Sequence, residues 1–281
     1  MPVYQPSDVA AVVCTKDSAS SIRPCLVSLR ASGVGEIVVV DANSTDGTME
    51  IAHEFADQVL ADPGVGLGNA RNIGIAGTSL PLVLNFGSDN VMPPGQLPVM
   101  IDALEAGRFQ GVSAQTRISD RGFLPEGLNY WRRGRFVPGP AAVIGTPTLF
   151  VGQMLRSQPY DTTRRFSDDS ELCERWAREF GARFAISEAW VEEIGKTSWH
   201  EVRVRCRMYG ESDFEVFRAG RIGGWGVKRS LKSLSHPLRA DLIDPIVELG
   251  PREGALATPF LAVFTAMRYA YWAKTAVGAN R

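Results

Sequence analysis

The chain reads as an α/β fold, with a mostly parallel central sheet flanked by helices and a C-terminal helical extension. Three observations predict it. Short unbroken apolar runs such as "VAAVVC" and "EIVVVD" alternate with segments of helical spacing through the first half, and unbroken apolar strands belong to sheets covered on both faces. Each of these runs stops in polar residues. The last quarter carries helical patterns and a long apolar, aromatic stretch. With 281 residues, 44% of them hydrophobic, the chain is long enough to bury a large core.

The elements follow in order. Val9 to Cys14 is a buried strand, and Ser21 to Ser32 has helical spacing at Ile22, Cys25, Leu26 and Leu29. Glu36 to Asp41 is a second strand, Thr48 to Ala56 a helix, and Asp57 to Asp62 a short strand. Gly68 to Thr78 reads as a short helix closed by glycine, and Pro81 to Phe86 as another strand. The second half is less regular. Phe109 to Ser119 reads as a strand, Gly127 to Pro147 as a loop region rich in Arg, Gly and Pro, and "PTLFVG" as a short strand. Ser167 to Gly181 is a helix, with Ser167 as its cap, acids in its first turn and Leu172, Trp176 and Phe180 on one face. Trp199 to Gly210 is a helix carrying Arg203, Arg205 and Arg207. The expected division is one α/β body over residues 1–198, with a nucleotide-binding half to about 95 and an acceptor-binding half beyond it, followed by an extension over 199–281.

Ligands of parallel α/β sheets sit beyond the carboxyl ends of the strands. Three polar strand ends then converge: Thr15-Lys16-Asp17, Asp41-Ala42-Asn43-Ser44 and Gly87-Ser88-Asp89-Asn90. This geometry marks Asp89 as a site residue. The net charge of −1 does not point to nucleic acid or another polyanion. The four cysteines lack metal-type spacing and are expected to be reduced and buried, which suits a cytoplasmic protein. The N-terminus shows no secretion-signal pattern.

Five segments in series resemble family 2 nucleotide-sugar glycosyltransferases of the GT-A fold: "AVVCTKDSASSIRPCLVSL", "VVVDANSTDGT", "GNARNIGI", "NFGSDN" and "YDTTRRFSDDSELCERW". The resemblance spans roughly residues 8 to 210 and implies an inverting, metal-dependent hexosyl transfer from a UDP- or GDP-sugar. "NFGSDN" stands where the family carries Asp-x-Asp, with Gly87 replacing the first aspartate. The resemblance leaves Asp89 as the metal carboxylate for Mn²⁺ or Mg²⁺, with Asn90 either adding a carbonyl ligand or holding the turn. His200 is the candidate further ligand, since imidazole suits Mn²⁺. Asp41 is expected to accept from the base N–H, with Thr15, Lys16, Asn43, Gly87 and Ser88 lining the nucleotide-sugar pocket. Arg71 is expected either to hold the metal loop's carboxylate or to reach the diphosphate. Matching Asp168-Asp169-Ser170-Glu171-Leu172 to the family's acidic pattern makes Asp169 the base and Asp168 its support. A helix N-terminus would lower the pKa of Asp169 and leave it a weak base. Asp17 is either a pocket or a capping residue, and Asp46-Gly47 is structural.

From Trp199 to Leu234 there are eight Lys/Arg against four Asp/Glu. The stretch from Gly254 to Gly278 is apolar and aromatic, yet its uninterrupted run is too short for a span of roughly 20 residues. It is expected either to lie on the inner face of the membrane, with Tyr271 and Trp272 at the interface, or to cover a core or a homodimer contact. The acceptor is expected to be a sugar, a lipid phosphate or a small molecule, and the loop from Asn129 to Phe136 either to close over it or to be only a solvated basic loop. Two alternatives stand beside transfer: a non-catalytic nucleotide-sugar binding protein, favoured by Gly87, and a sugar nucleotidyltransferase, disfavoured because "CTKDSASS" has no glycine.

Overall fold

The computed structural model describes residues 4–163, 168–195 and 197–279. In chain order the elements are β1 (Val9–Thr15), α1 (Ile22–Ala31), β2 (Glu36–Asp41), α2 (Thr48–Phe55), β3 (Gln58–Ala61), α3 (Leu67–Ala76), β4 (Leu82–Gly87), β5 (Asn90–Val91), α4 (Gln96–Gly107), β6 (Gly111–Arg117), α5 (Phe123–Arg135), β7 (Gly139–Ala141), β8 (Thr148–Val151), α6 (Gly152–Ser157), α7 (Asp168–Phe180), β9 (Phe184–Glu193), α8 (Trp199–Ile222), α9 (Val227–Leu234), α10 (His236–Leu238) and α11 (Asp244–Gly278), with one π-helical turn, Arg239–Ile243, before α11. They form two compact units. The first comprises Met1–Arg117 and Pro138–Ile194, the second Ile118–Val137 and Gly195–Arg281.

The first unit holds the sheet, in the order β3-β2-β1-β4-β8-β6-β9-β5, with β7 also on β9. From β3 to β4 every pair is parallel, as the unbroken apolar strands predict. Beyond β4 antiparallel pairs enter, β4 with β8 and β8 with β6, while β6 and β9 are parallel. Successive side chains face opposite sides of a strand. Val9, Ala11 and Val13 therefore join one core with Ile22, Leu26 and Met100, and Val12, Val38 and Val40 join another with Ile75, Leu172 and Trp176. The close seat of α3 on the sheet depends on Gly74. A Cβ there would lie 2.4 Å from one Val12 methyl and 3.0 Å from a Val40 methyl, and buried valines have little rotamer freedom to yield. Gly74→Ala is accordingly expected to destabilise the protein by about 1–3 kcal/mol, measured as a lower urea midpoint; an unchanged midpoint would show that α3 shifts freely.

The second unit is helical. The segment expected to be a loop from Gly127 is instead the body of α5 as far as Arg135. Leu124, Leu128 and Trp131 recur at helical spacing and are buried with Phe260, Leu261 and Phe264 of α11, while Arg132, Arg133 and Arg135 stand in the last turn, where the helix dipole favours cations. Its glycines read as loop signals but are contact points: a Cβ at Gly127 would meet Phe260 at 2.2 Å. Trp131 is 1% exposed, and from Asn129 to Arg135 the segment is helix rather than the expected loop. One face of α11 is likewise buried inside this unit through Ala257, Phe260, Leu261 and Phe264, while Leu256, Val263 and Val277 are exposed. Trp272 meets Phe214 and Phe217 at ring distances of 5.5 and 5.6 Å, and Tyr271 packs against the same core. Of the two alternatives for this stretch, core cover is the one these contacts support, with Tyr271 and Trp272 left half-buried. Helix α11 bends at Gly250 (φ 76°), where Pro251 removes the next donor. Asp241 is fully buried, and it accepts from Trp131 Nε1 at 3.0 Å, from Arg268 Nη1 at 2.5 Å and from Arg135. Among the described residues no helix is long and apolar enough to cross a membrane. All four cysteines are free.

Candidate active site

The ends of β1, β2 and β4 lie side by side. Thr15 is in register with Asp41, and Cys14 with Gly87; at roughly 4.8 Å between neighbouring strands, Asp41 and Gly87 are about 10 Å apart. Side chains tie the loops together. Both oxygens of Asp41 accept from Ser44, Oδ1 from its hydroxyl at 2.5 Å and Oδ2 from its N–H at 2.9 Å. Asp17 neither caps a helix nor stands free: Oδ1 accepts from the Thr45 N–H at 2.9 Å, and its own N–H donates to Ser44 Oγ at 2.8 Å. Asp46 is structural, as expected, and also holds the β1 loop through the Ala19 N–H at 3.0 Å. Hydrogen bonds from Thr48 Oγ1 and then Ala19 hold its carboxyl below the usual range. Ser18 Oγ shares a 3.1 Å hydrogen bond with Ser88 Oγ, joining the β1 and β4 loops. Lys16 and Asn43 are exposed, and Asn43 takes a left-handed conformation (φ 57°). Thr15 Oγ1 is buried without a hydrogen-bond partner among the described residues.

The β4 turn explains what Gly87 does. A Cβ at this position would lie 2.8 Å from Asn90 Oδ1 and 2.9 Å from Asp89 Oδ1. Two side-chain oxygens therefore converge on the space that a larger residue would fill. The turn is held from behind: Asn90 is in register with Glu193 of β9, and the Asp89 carbonyl accepts from the Ile194 N–H at 2.8 Å. Asn90 thus holds the turn through its backbone while its carbonyl oxygen faces the same cradle as Asp89. Among the described residues no three His, Cys, Asp or Glu side chains form a metal cluster. The donor set nevertheless fits a hard cation of the Mg²⁺ or Mn²⁺ type, which takes oxygen ligands and can draw most of them from substrate phosphates and water. His200 belongs to the second unit, exposed in the first turn of α8; the fit rests on residues of the first unit alone.

Arg71, expected at the metal-loop carboxylate or the diphosphate, is paired with the two acids that open α7. It projects from α3, 5% exposed, and its Nη1 donates to Asp168 Oδ2 at 2.7 Å and Asp169 Oδ1 at 2.9 Å, while Nη2 donates to Thr146 Oγ1 at 2.6 Å. The guanidinium also lies 5.1 Å over the Tyr160 ring. Burial works against its charge, yet Asp169, Tyr160 and Asp168 outweigh that and hold it above its ordinary value. The neighbouring Asn72 fixes the backbone of Tyr160 through two hydrogen bonds, at 2.9 and 3.0 Å. Tyr160 in turn receives a hydrogen bond from Asn85 Nδ2 at 3.0 Å and donates to Asp169 Oδ1 at 3.5 Å. Asn85 is two residues before Gly87 on β4, about 7 Å along the strand. Asp41, Asp89 and Asp169 therefore belong to one region of the first unit.

The same network overturns the expected weak base. Burial raises the Asp169 carboxyl to about 6, Asp168 adds to the rise, and Arg71 and Tyr160 oppose it. Burial, which penalises the charged form, outweighs the pull of Arg71. Asp169 keeps 24% of its side chain exposed, which leaves it open to a reacting partner. The expected cap, Ser167, lies outside the described residues. Sequence reasoning missed Tyr160 and Thr146; the one local signal was the Arg71-Asn72 pair, whose side chains hold two separate segments.

The residues from 10 to 189 match the model of Glycosyl transferase family 2. An uncharacterized glycosyltransferase of Mycobacterium tuberculosis is 32% identical over 99 residues, 32% of this chain and 45% of that protein. Glycosyltransferase AglJ of Haloferax volcanii is 28% identical over 103 residues, 36% of this chain and 34% of that protein. These matches span less than half the length of the curated relatives. Among solved structures, the mannosyltransferase PcManGT from Pyrobaculum calidifontis, in complex with GDP-Man and Mn²⁺, superposes with a TM-score of 0.66 at 19% identity, covering 98% of this chain and 87% of that one. TarS residues 1–349 of S. aureus, in complex with UDP-GlcNAc, gives 0.52 at 15% identity, with 94% and 89% covered. At these identities the likeness is one of fold, and the fold is GT-A.

Proposed function

This chain belongs to Glycosyl transferase family 2, and from that premise we propose that it moves a hexosyl group from a UDP- or GDP-sugar to an acceptor hydroxyl with inversion at the anomeric carbon. The observation that carries the mechanism is the Arg71–Asp168–Asp169–Tyr160 cluster. The half-buried Asp169 carboxyl, raised to about 6, is ionised at neutral pH and still basic enough to take a proton as the acceptor attacks. Arg71 and Tyr160 fix the orientation of Asp169, so that its remaining lone pairs are the ones presented to the hydroxyl. Asp41, held by Ser44, keeps acceptor capacity for a nucleobase N–H. Thr15 Oγ1, unpartnered at the adjacent strand end, is the group we assign to a donor polar atom. Asp89 with Asn90 would hold Mn²⁺ or Mg²⁺, and the cation would neutralise the charge developing on the departing diphosphate. The family removes the nucleotidyltransferase alternative. The competing reading is a binding protein without turnover, favoured by the single carboxylate of the β4 turn.

Thermal shift against UDP, GDP, CMP and dTDP compounds with Mn²⁺ tests the donor site. A bound donor at a hundredfold its Kd stabilises by about 2.7 kcal/mol, read as a rise in Tm of several degrees. Asp41→Ala is expected to remove most of that rise for the preferred nucleotide. Equal shifts in parent and variant would remove Asp41 from the pocket, and binding without turnover over a panel of acceptors would favour the binding protein.

A further inference from the structure

The second unit carries a surface that the transfer reaction leaves unexplained. Residues 216–240 contain six Lys/Arg and no Asp or Glu. Within them a glycine-rich turn joins α8 to α9. This elbow is built rather than loose. The Trp225 ring fills the space over Gly220, where a Cβ would lie 2.2 Å away, and Trp225 donates its backbone N–H to the Gly220 carbonyl at 2.9 Å. Arg221 Nη1 donates to the Trp225 carbonyl at 3.3 Å and to Ser230 Oγ at 3.4 Å. Ser230 is buried, so the face of α9 turned inward is fixed.

The rest of α9 is sorted by chemistry. Val227 and Leu231, one turn apart on one stripe, are 73% and 60% exposed, and Ile222 on the end of α8 is 79% exposed. Lys228 and Lys232 form the adjoining exposed stripe, and the Arg229 guanidinium lies 4.6 Å over the Trp225 ring. Aliphatic side chains in water beside a file of cations match an interfacial amphipathic helix, whose apolar face enters the acyl boundary while its Lys and Arg meet anionic headgroups. A nucleic acid would engage the cations but give no return for the exposed aliphatics. A second copy docked face to face across a two-fold axis would set cation against cation.

We propose that the α8–α9 elbow seats on an anionic lipid bilayer, with Ile222, Val227 and Leu231 entering the surface and Lys228, Arg229 and Lys232 at the headgroups. The seat is independent of the reaction assigned above, and its test contains no nucleotide. The full chain is sedimented with vesicles of phosphatidylcholine alone and of phosphatidylcholine mixed with phosphatidylglycerol. Binding is expected to the anionic vesicles and not to the neutral ones, and to weaken as salt is raised. The double variant Lys228→Ala, Lys232→Ala is expected to lower vesicle affinity about 25-fold. The double variant Val227→Ser, Leu231→Ser, which keeps every charge, is expected to lower it at least about tenfold. Both should retain the parent Tm, because the four side chains are exposed. The proposal is overturned if the chain stays in the supernatant, if it binds neutral vesicles equally, if either variant binds as the parent does, or if a duplex oligonucleotide is bound in preference to the vesicles.

Discussion

Replacing Asp169 by Asn is expected to lower kcat about 10³-fold while leaving the thermal shift given by the donor nucleotide unchanged. Asparagine keeps the shape and an acceptor oxygen for Arg71 and Tyr160, so the site should stay assembled, but it cannot take a proton. General-base catalysis is worth about 10²–10⁴, which sets the scale of the loss. The pH profile carries a second expectation. The base works ionised, and its pKa is held near 6 by burial and by Asp168 against Arg71. On the acid side kcat/KM should therefore fall tenfold per pH unit below about 6. Asp168→Asn removes a charge that raises Asp169, so the acid limb should move to lower pH. Stability runs the opposite way. With the folded pKa above the ordinary carboxyl value of 3.8, the stability contributed by Asp169 is fully present below that value and is lost as pH rises through about 6. Activity thus depends on the form of Asp169 that the fold holds less well. A variant within tenfold of the parent, or an acid limb unmoved in Asp168→Asn, would remove Asp169 from the base role.

Arg71→Met is expected to cost about 3–5 kcal/mol of stability, the scale for removing one partner of a buried ion pair. Three groups lose their donor at once: Asp168, Asp169 and Thr146. The two carboxyls are then left close together, and Asp169 also loses the charge that most lowers its pKa. The difference between parent and variant, followed by urea unfolding, should shrink from pH 8 to pH 4.5 as the stranded carboxyls take up protons. A pH-independent difference would mean that Arg71 acts through packing over Tyr160 alone. Arg71→Lys is expected to recover part of the stability, because an ammonium can meet one carboxylate but lacks the planar fork that reaches three partners.

The first half of the sheet was legible because its signal is local. A buried strand declares itself in a few contiguous apolar residues, as in the four of "EIVVVD", and each polar end gives the position of a site loop. Asp41 and Asp89 are proposed from such ends, and Asp169 from the start of a helix and the family pattern. Local signals misled where a short residue served a distant contact. Gly127 and Gly134 read as loop formers, yet each lets α5 approach another segment closely, Phe260 in one case and Pro245 in the other. The apolar stretch of α11 read equally well as a membrane face or a core face, and only Phe214, Phe217 and the α5 stripe show that one face of it has a core partner.

The sequence by itself determined the order of strands and helices in the nucleotide half, the polar strand ends and the family pattern, since all of these are written in periodicities over fewer than about twenty residues. Only the tertiary structure decided the chemical state of the site. Arg71 meets Asp168 and Asp169 across 97 and 98 residues of chain, and burial with the charge of Asp168, outweighing the pull of Arg71, turns Asp169 from the weak base of a helix end into a stronger one. A pKa is set by whatever lies within a few ångströms in space and by how much water is excluded there, and neither quantity is carried by the neighbours in sequence.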